Sequence, residues 1–382
     1  MSTLEPRRFY RAQFPLYGKL WQINWTLVLL ICTLCGIGFM TLYSAGDGTM
    51  RWVLPQLTRF AAGFFIMIIT ALIDIRFWMK YSYPLYFIAL LLLIAVSFVG
   101  TIGMGAQRWL DLGLFRLQPS EVMKITLVMA LARYFHGASY QDVGRPLFLI
   151  PPLLLVCIPA VFVMKQPDLG TAMMLIMSGG VTFFLVGVRI WKFLVLIIVA
   201  VITLPIAWEF LAEYQKDRVR IFLDPEIDPS GRGYHIIQSK IALGSGGLFG
   251  KGYMEGPQSH LDFLPEKHTD FIFTMLAEEW GMVGGLILLG IYLLILIYCT
   301  AIALRCHNRF GRLVAMGMMA NFFLYVFINT AMVMGLVPVV GVPLPLISYG
   351  GTSLLTLQFG FGLIMCAYVH RDTLISRRAN EI

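Results

Sequence analysis

Long apolar runs separated by short polar breaks dominate this sequence. The runs last about 17 to 25 residues, the length that an α-helix needs to cross a bilayer, whereas strands of a membrane β-barrel would alternate over about ten. The pattern predicts an all-α, polytopic membrane protein of one domain, residues 1–382, with about ten transmembrane helices. We place them near residues 24–43, 57–73, 82–99, 120–135, 147–164, 170–188, 193–208, 271–303, 313–334 and 351–369. Because Arg189, Trp191 and Lys192 alone divide the stretch 170–208, nine spans remain an alternative.

The composition agrees with a membrane location. Of the 382 residues, 58% are hydrophobic and 13% are charged, and the mean hydropathy is +0.78. A soluble globule of this length would need more polar surface. The six cysteines lie in predicted spans or at their edges, which indicates neither a disulfide framework nor a zinc site.

The basic residues indicate the orientation. With ten spans and an inner N-terminus, 16 of the 29 Lys and Arg residues lie on the cytoplasmic side, and the short outer loops and their edges hold Arg51, Arg59, Arg108, Arg116 and Lys165. Because positive charge concentrates in cytoplasmic loops, both termini are expected there. The net charge of +8 then reflects topology and contact with anionic membrane lipids, and gives no reason to expect nucleic-acid binding.

One long polar break, residues 209–269, precedes the eighth predicted span. We expect it to form a long outer loop that carries part of the active site. Its segment Tyr234 to Leu243 is amphipathic and is expected to lie on the membrane interface. The apolar side chains expected to point toward the membrane are Ile236, Ile237, Ile241 and Leu243. The glycine run at 244–247 lacks the spacing of a phosphate-binding loop, so no nucleotide or organic cofactor is expected.

The long break ends in a charged run against a membrane span, which contains Asp262, Glu266, Lys267, His268 and Asp270. Ionisable groups at a bilayer edge are costly and therefore indicate a working site. Asp270 is the candidate catalytic residue, because the helix N-terminus and His268 or Lys267 can keep it ionised as a general base. The alternative is a helix cap in the first turn.

Glu121 and Lys124 lie three positions apart and so share one face of the fourth predicted span. They can form a structural ion pair, or line a polar cavity and bind a substrate headgroup. Glu278 and Glu279 lie two turns into the eighth span. They can line a cavity or pair with Lys and Arg on neighbouring helices, and we favour this structural role. Asp168 precedes the sixth span and is more typical of a helix cap than of a catalyst.

The outer loop that contains GAQRWLDLG (105–113) places Arg108 beside Trp109. The tryptophan can serve as an interfacial anchor. The pair can equally bind a phosphorylated sugar, since a guanidinium binds phosphate in a bidentate manner and a flat ring packs on a sugar.

Six blocks together resemble the SEDS family (shape, elongation, division and sporulation), and the resemblance runs from the first span to the last. The blocks are GAQRWLDLG (105–113), QPSEVMK (118–124), QPDLGT (166–171), GRGYHIIQSKIALGSGGLFGKG (231–252), FLPEKHTDFIF (263–273) and GVPLPLISYGGTS (341–353). The block YHIIQSKIALGSGG resembles the elongation branch of the family more than the division branch.

The resemblance implies a peptidoglycan glycosyltransferase of the bacterial cytoplasmic (inner) membrane, active on its outer face in cell elongation and rod-shape maintenance. The implied substrate is lipid II, polymerised into β-1,4-linked strands, and the implied partners are a class B penicillin-binding protein as transpeptidase and the elongation machinery. By motif, Asp270 matches the family's essential acidic residue. Substrate binding is expected of Glu121, Lys124, Arg108, Trp109, Lys240 and Asp262.

The chemistry of the implied reaction agrees with these residues. The acceptor sugar must lose a hydroxyl proton, for which Asp270 can be the base. Lys124, Arg108, Lys240 or a divalent cation (Mg or Mn) can stabilise the departing pyrophosphate. An α-linked donor and a β-linked product require a single inverting displacement. The alternatives are a lipid II flippase and a noncatalytic scaffold for a penicillin-binding protein.

Overall fold

The computed structural model describes residues 16–375 except 104–105, 112, 114–115, 211–212, 229–230, 261–262 and 264–265. Most of the described chain is helical. The helices are α1 (Leu16–Trp21), α2 (Trp25–Ala45), α3 (Val53–Leu72), α4 (Ile75–Val99), α5 (Pro119–His136), α6 (Tyr140–Gly144), α7 (Pro146–Lys165), α8 (Leu169–Val186), α9 (Ile190–Phe210), α10 (Glu213–Leu223), α11 (Arg232–Ser245), α12 (Pro257–His260), α13 (Ile272–Arg305), α14 (Arg309–Val333) and α15 (Gly351–Val369). The strands are β1 (Thr101–Gly103), β2 (Ala106–Asp111) and β3 (Arg116–Leu117).

Within the described ranges, eight helices are long and apolar enough to cross a membrane: α2, α3, α4, α7, α8, α13, α14 and α15. Helices α5 and α9 occupy the positions of the fourth and seventh predicted spans. Helix α5 is less apolar because it carries Glu121, Lys124 and Arg133. The predicted class, a helical polytopic membrane protein, is confirmed, whereas the count of ten crossings stays a prediction.

Local capping chemistry sets several helix boundaries. Helix α4 begins at Ile75, seven residues before the predicted span, because the Asp74 side chain accepts a hydrogen bond from the Arg76 amide at 2.8 Å. Helix α8 ends at Val186, where Gly187 adopts a φ of 97° that favours glycine. This turn divides the stretch 170–208 into the two predicted helices.

Helices α5, α8, α14 and α15 form the centre of the bundle, and α5 is buried along nearly its whole length. Helix α9 lies at the periphery, where Ile202 is 67% exposed. A membrane would cover such apolar surface with lipid. Glu121 and Lys124 of α5, in contrast, are buried inside the protein.

A small antiparallel sheet follows α4, a feature that the all-α prediction did not include. Strand β2 pairs with β1 and with β3, and Trp109 lies opposite Thr101. The start of α5 is tied to the start of α15, because Thr352 Oγ1 donates to the Arg116 carbonyl at 3.0 Å and accepts from the Gln118 amide at 3.3 Å. The sheet thus fixes the loop that carries Arg108.

The amphipathic segment Tyr234 to Leu243 does form a helix, α11, but it packs on α13. Its buried positions include Ile236, Ser239 and Ala242, whereas Ile241 is 46% exposed. Ser239 Oγ lies 2.8 Å from Thr274 Oγ1 and donates to the Val333 carbonyl at 2.9 Å. Ile236 therefore packs on protein, whereas the orientation of Ile237, Ile241 and Leu243 toward a membrane stays a prediction.

Helix α13 is broken at Gly281, whose φ is 68°. The glycine-rich loop after α11 docks into the break: the amides of Met282 and Val283 donate to the carbonyls of Gly247 and Leu248 at 2.9 and 3.1 Å. A Cβ at Gly281 would lie 2.3 Å from the Gly250 nitrogen. Only glycine permits this close approach of two backbones.

Candidate active site

Asp270 lies in the turn that leads into α13, at the end of the bundle where that helix begins. The N-cap position belongs to Phe271, and no side chain caps this helix. Asp270 is therefore not the cap that the sequence left as an alternative. Its backbone carbonyl accepts a hydrogen bond from Asn329 Nδ2 at 2.8 Å.

The segment that follows α14 packs directly against this turn. Ser348 Oγ donates to the Thr269 carbonyl at 2.6 Å, and the Tyr349 amide donates to the His268 carbonyl at 2.9 Å. Gln56 Nε2 on α3 donates to the Ser348 carbonyl at 3.0 Å. One sequence-distant segment, itself held by α3, thus fixes the backbone before Asp270.

The first turn of α8 also packs on the segment after α14. A Cβ at Gly170 would lie 2.6 Å from the Val340 carbonyl, so the first turn of α8 packs tightly on that residue. At the next position, a Cβ at Gly341 would lie 3.5 Å from Asp270 Oδ2. The first turn of α8, which Asp168 caps, and Asp270 therefore both contact the dipeptide Val340–Gly341, and the charge of Asp168 acts on Asp270.

Asp168 is the N-cap of α8, as the sequence favours: its side chain accepts from the Thr171 amide at 3.1 Å and from Thr171 Oγ1 at 3.0 Å. It also lies 3.6 Å from Arg108 Nε. The guanidinium donates from Nη2 to the Pro167 carbonyl at 2.6 Å. This network brings the predicted Arg108 next to the carboxylates.

The pKa of Asp270 is raised to about 7, first because burial disfavours the charged carboxylate, and then because Glu266 and Asp168 are negative neighbours. The expectation that Lys267 or His268 keeps Asp270 ionised is wrong. Lys267 Nζ lies 3.8 Å from Asp47 Oδ2, and the His268 ring stacks on Trp52 with centroids 4.2 Å apart. A carboxyl group that titrates near neutral pH is well matched to general base catalysis.

Glu121 and Lys124 form a buried ion pair in which Lys124 Nζ and Glu121 Oε1 are 2.7 Å apart. The Tyr325 hydroxyl on α14 hydrogen-bonds to both side chains. The group borders a cavity of about 30 Å³, room for one or two water molecules. The structural ion pair is thus present, and contact with a substrate headgroup stays a prediction.

The structure places the other predicted binding residues differently. Trp109 lies on β2, next to Arg108 and partly buried. Lys240 is exposed on α11 against Gly335, where a Cβ would lie 2.2 Å from Lys240 Cε. Asp262 lies outside the described residues. The binding roles of these three residues stay predictions.

Glu278 and Glu279 are buried on the first part of α13, away from the Asp270 turn. Glu278 Oε1 accepts from the Gln258 amide at 3.0 Å and lies 3.4 Å from Lys251 Nζ. Glu279 accepts a hydrogen bond from Ser44 Oγ. These contacts agree with the structural role favoured from sequence.

Among residues 16–375 without the gaps given above, no group of three His, Cys, Asp or Glu side chains is arranged to hold a metal ion. Glu266 and Asp168 act electrostatically on Asp270 without forming such a group. The divalent cation named from sequence stays a prediction.

Tyr325 and Asn329 are functional candidates that the sequence reasoning missed. Together with Asn321 they lie at i, i+4 and i+8 on the otherwise apolar helix α14. A polar stripe at helical spacing inside a span is a detectable signal for an inward face. The partners of that face could not be assigned from sequence.

The fold and this site define a helical integral membrane protein whose acidic and basic side chains meet at one end of the bundle. The profile of the cell cycle protein family that comprises FtsW, RodA and SpoVE matches residues 20–373. The chain belongs to this family, known as SEDS.

The chain is similar to the peptidoglycan glycosyltransferase MrdB of Escherichia coli K12, with 45% identity over 353 residues that cover 91% of this chain and 94% of MrdB. It resembles a solved chain of a peptidoglycan synthase complex that coordinates polymerization and crosslinking, with a TM-score of 0.80, 32% identity and coverage of 91% and 98%. The rod shape determining protein RodA of Thermus thermophilus gives a TM-score of 0.69 with 30% identity, over 92% of this chain and 98% of RodA. These similarities confirm the resemblance to the elongation branch.

Proposed function

We propose that this chain is a peptidoglycan glycosyltransferase that polymerises lipid II into β-1,4-linked glycan strands at the outer face of the inner membrane. The class of enzyme is the one that its relatives carry in their names. One observation supports the mechanism best: Asp270 is enclosed beside other carboxylates, does not cap its helix, and has a pKa raised to about 7.

In this mechanism Asp270 accepts the proton of the acceptor hydroxyl as that oxygen attacks the anomeric carbon of the donor. The bond from that carbon to the pyrophosphate oxygen breaks in the same step, and the configuration inverts. A base with a pKa near the working pH is both available as carboxylate and strong enough to take the proton. No covalent enzyme intermediate is formed.

Arg108 is the described cation best placed to assist the leaving group. Arg108 Nε lies 3.6 Å from Asp168 Oδ2, and the charge of Asp168 is one cause of the raised pKa of Asp270. A guanidinium binds phosphate oxygens in a bidentate manner, so Arg108 would exchange part of its contact with Asp168 for the pyrophosphate. Charge that develops on the leaving group is thereby stabilised.

A divalent cation, Mg or Mn, is a further proposal for the same step. Since no three-ligand cluster exists among the described residues, pyrophosphate oxygens would have to supply part of its coordination. We also propose a class B penicillin-binding protein as partner. Its support is the likeness to a solved synthase complex that coordinates polymerization and crosslinking.

The experiment measures glycan polymer from purified lipid II by the purified protein and its transpeptidase partner, for wild type and Asp270→Asn, with and without divalent cation. We expect polymer from wild type only. Polymer from Asp270→Asn at the wild-type rate would remove Asp270 as the base. No polymer from a folded, partner-bound wild type would favour the flippase or the scaffold instead.

A further inference from the structure

A second pocket lies at the end of the bundle opposite Asp270, because α13 begins beside Asp270 and ends at Arg305. It has a volume of about 380 Å³, and the residues that line it come from the ends of α13 and α15: Leu304, Arg305, His307, Tyr368, Arg371 and Asp372. Neither the glycosyl transfer nor the contacts around Asp270 use any of these side chains.

The backbone of this pocket is fixed by contacts between its two walls. The His307 amide donates to the Arg371 carbonyl at 3.0 Å, and Asn308 Nδ2 donates to the His370 carbonyl at 3.2 Å. The guanidinium carbon of Arg371 lies 4.8 Å from the centre of the Tyr368 ring. Stacking on an aromatic ring restrains the arginine and leaves the edge of its guanidinium available for hydrogen bonds.

The charges in the pocket are not balanced. Asp372 is its one acidic side chain, and it lies 3.6 Å from Arg371 Nε and 3.3 Å from His307 Nδ1. Over the part of the chain that the structure describes, the Arg305 side chain makes no hydrogen bond and no ion pair. The pocket therefore keeps an excess positive charge on an exposed guanidinium that pairs with none of the described side chains.

The pocket adjoins apolar surface that a membrane would cover. Leu304 is 65% exposed, and Ile297, two turns earlier on α13, is 53% exposed. An amphipathic ligand can thus place a charged group between the arginines and its apolar chains along α13. Basic pockets beside transmembrane helices are known to bind anionic lipid headgroups.

We propose that this pocket binds the phosphate group of an anionic phospholipid, with Arg305 and Arg371 as the phosphate ligands. Asp372 would weaken binding by repelling the phosphate. In the competing explanation the arginines only offset the partial negative charge at the C-termini of α13 and α15, and then no headgroup is preferred.

The test uses the purified full-length protein in detergent and native mass spectrometry to measure the dissociation constants of phosphatidylglycerol and phosphatidylcholine. The variants are Arg305→Gln with Arg371→Gln, and Asp372→Asn. The matched control is Arg145→Gln with Arg189→Gln, which removes two exposed charges at the starts of α7 and α9. Thermal unfolding without added lipid confirms that each variant is folded.

We expect wild type to prefer phosphatidylglycerol, the Arg305/Arg371 double variant to bind it about thirtyfold more weakly, and Asp372→Asn about fivefold more tightly. The control should bind like wild type. Equal weakening in the control and the double variant would overturn the proposal in favour of diffuse surface charge. Competition by inorganic phosphate at the same concentration as the lipid would overturn the lipid assignment in favour of a soluble anion.

Discussion

Asn329 donates hydrogen bonds from its side-chain nitrogen to the carbonyls of Asp270 and Val342, at 2.8 and 2.7 Å. The side chain is fully buried on α14, and it joins the turn that carries Asp270 to the segment beside Gly341. One amide group thus fixes two of the chain segments that surround the proposed base.

We expect Asn329→Leu to reduce the rate of glycan polymerisation at least tenfold, because two buried carbonyls lose their donor and the base is no longer held in place. The measurement is the initial rate with purified lipid II. Thr330→Val is the control, since its hydroxyl bonds only to carbonyls of α14 itself. Equal losses in both variants would show that the effect is general destabilisation of the helix.

The pH dependence of the reaction follows from the pKa of Asp270, which is raised to about 7. The active form is the carboxylate, so kcat/KM should fall about tenfold for each pH unit below 7 and level off above it. The measurement is kcat/KM between pH 5 and pH 9. A profile that is flat across pH 7 would contradict the assignment of Asp270 as the base.

Glu266→Gln should move the acidic limb of that profile to lower pH. The negative charge of Glu266 is the second largest cause that raises the pKa of Asp270, and the amide removes it. Glu213→Gln, at an exposed carboxylate on α10, is the control and should leave the profile unchanged. An unchanged profile in Glu266→Gln would show that Glu266 does not contribute to the pKa of Asp270.

Asp270→Asn should stabilise the protein at pH 8 while it abolishes activity. The pKa of this carboxyl group is about 7 in the folded state and about 4 in the unfolded chain. Its contribution to the free energy of unfolding is therefore fully present below pH 4 and is lost as the pH rises through 7. The amide cannot ionise and avoids that loss. Thermal unfolding at pH 4 and pH 8 should show a higher midpoint for the variant at pH 8 only.

Removal of one partner from the buried Glu121–Lys124 pair should destabilise the protein by about 3 to 5 kcal/mol, because a charge is left uncompensated in the bundle. We expect Glu121→Gln and Lys124→Met each to lower the unfolding midpoint clearly. The double variant should lose less than the sum of the two. Additive losses would show that the side chains are not coupled.

Gly281→Ala should prevent correct packing, because Gly281 has a φ of 68° and its new Cβ would lie 2.3 Å from the Gly250 nitrogen. Gly290→Ala on the same helix is the matched control, with no atom within 4 Å of its new Cβ. That control should be neutral or stabilise α13 by about 0.5 to 1 kcal/mol. The yield of folded protein and its unfolding midpoint distinguish the two variants.

The sequence was sufficient to place the long helices of the bundle, since an apolar segment in a membrane must satisfy its backbone hydrogen bonds within itself. The ten predicted segments coincide with long helices, and the largest error, at the start of α4, came from the cap at Asp74. The motifs likewise indicated Asp270, Glu121, Lys124 and Arg108. These features depend on residues that are close together in the chain.

Only the tertiary structure decided the electrostatic state and the partners of those residues. Tyr325 reaches Glu121 across 204 positions, and the Asp270 turn is held by Ser348 across 79. The expectation of an ionised Asp270 failed because its sequence neighbours Lys267 and His268 contact Asp47 and Trp52 instead. Burial and long-range charge set a pKa, and both arise only when distant segments pack together.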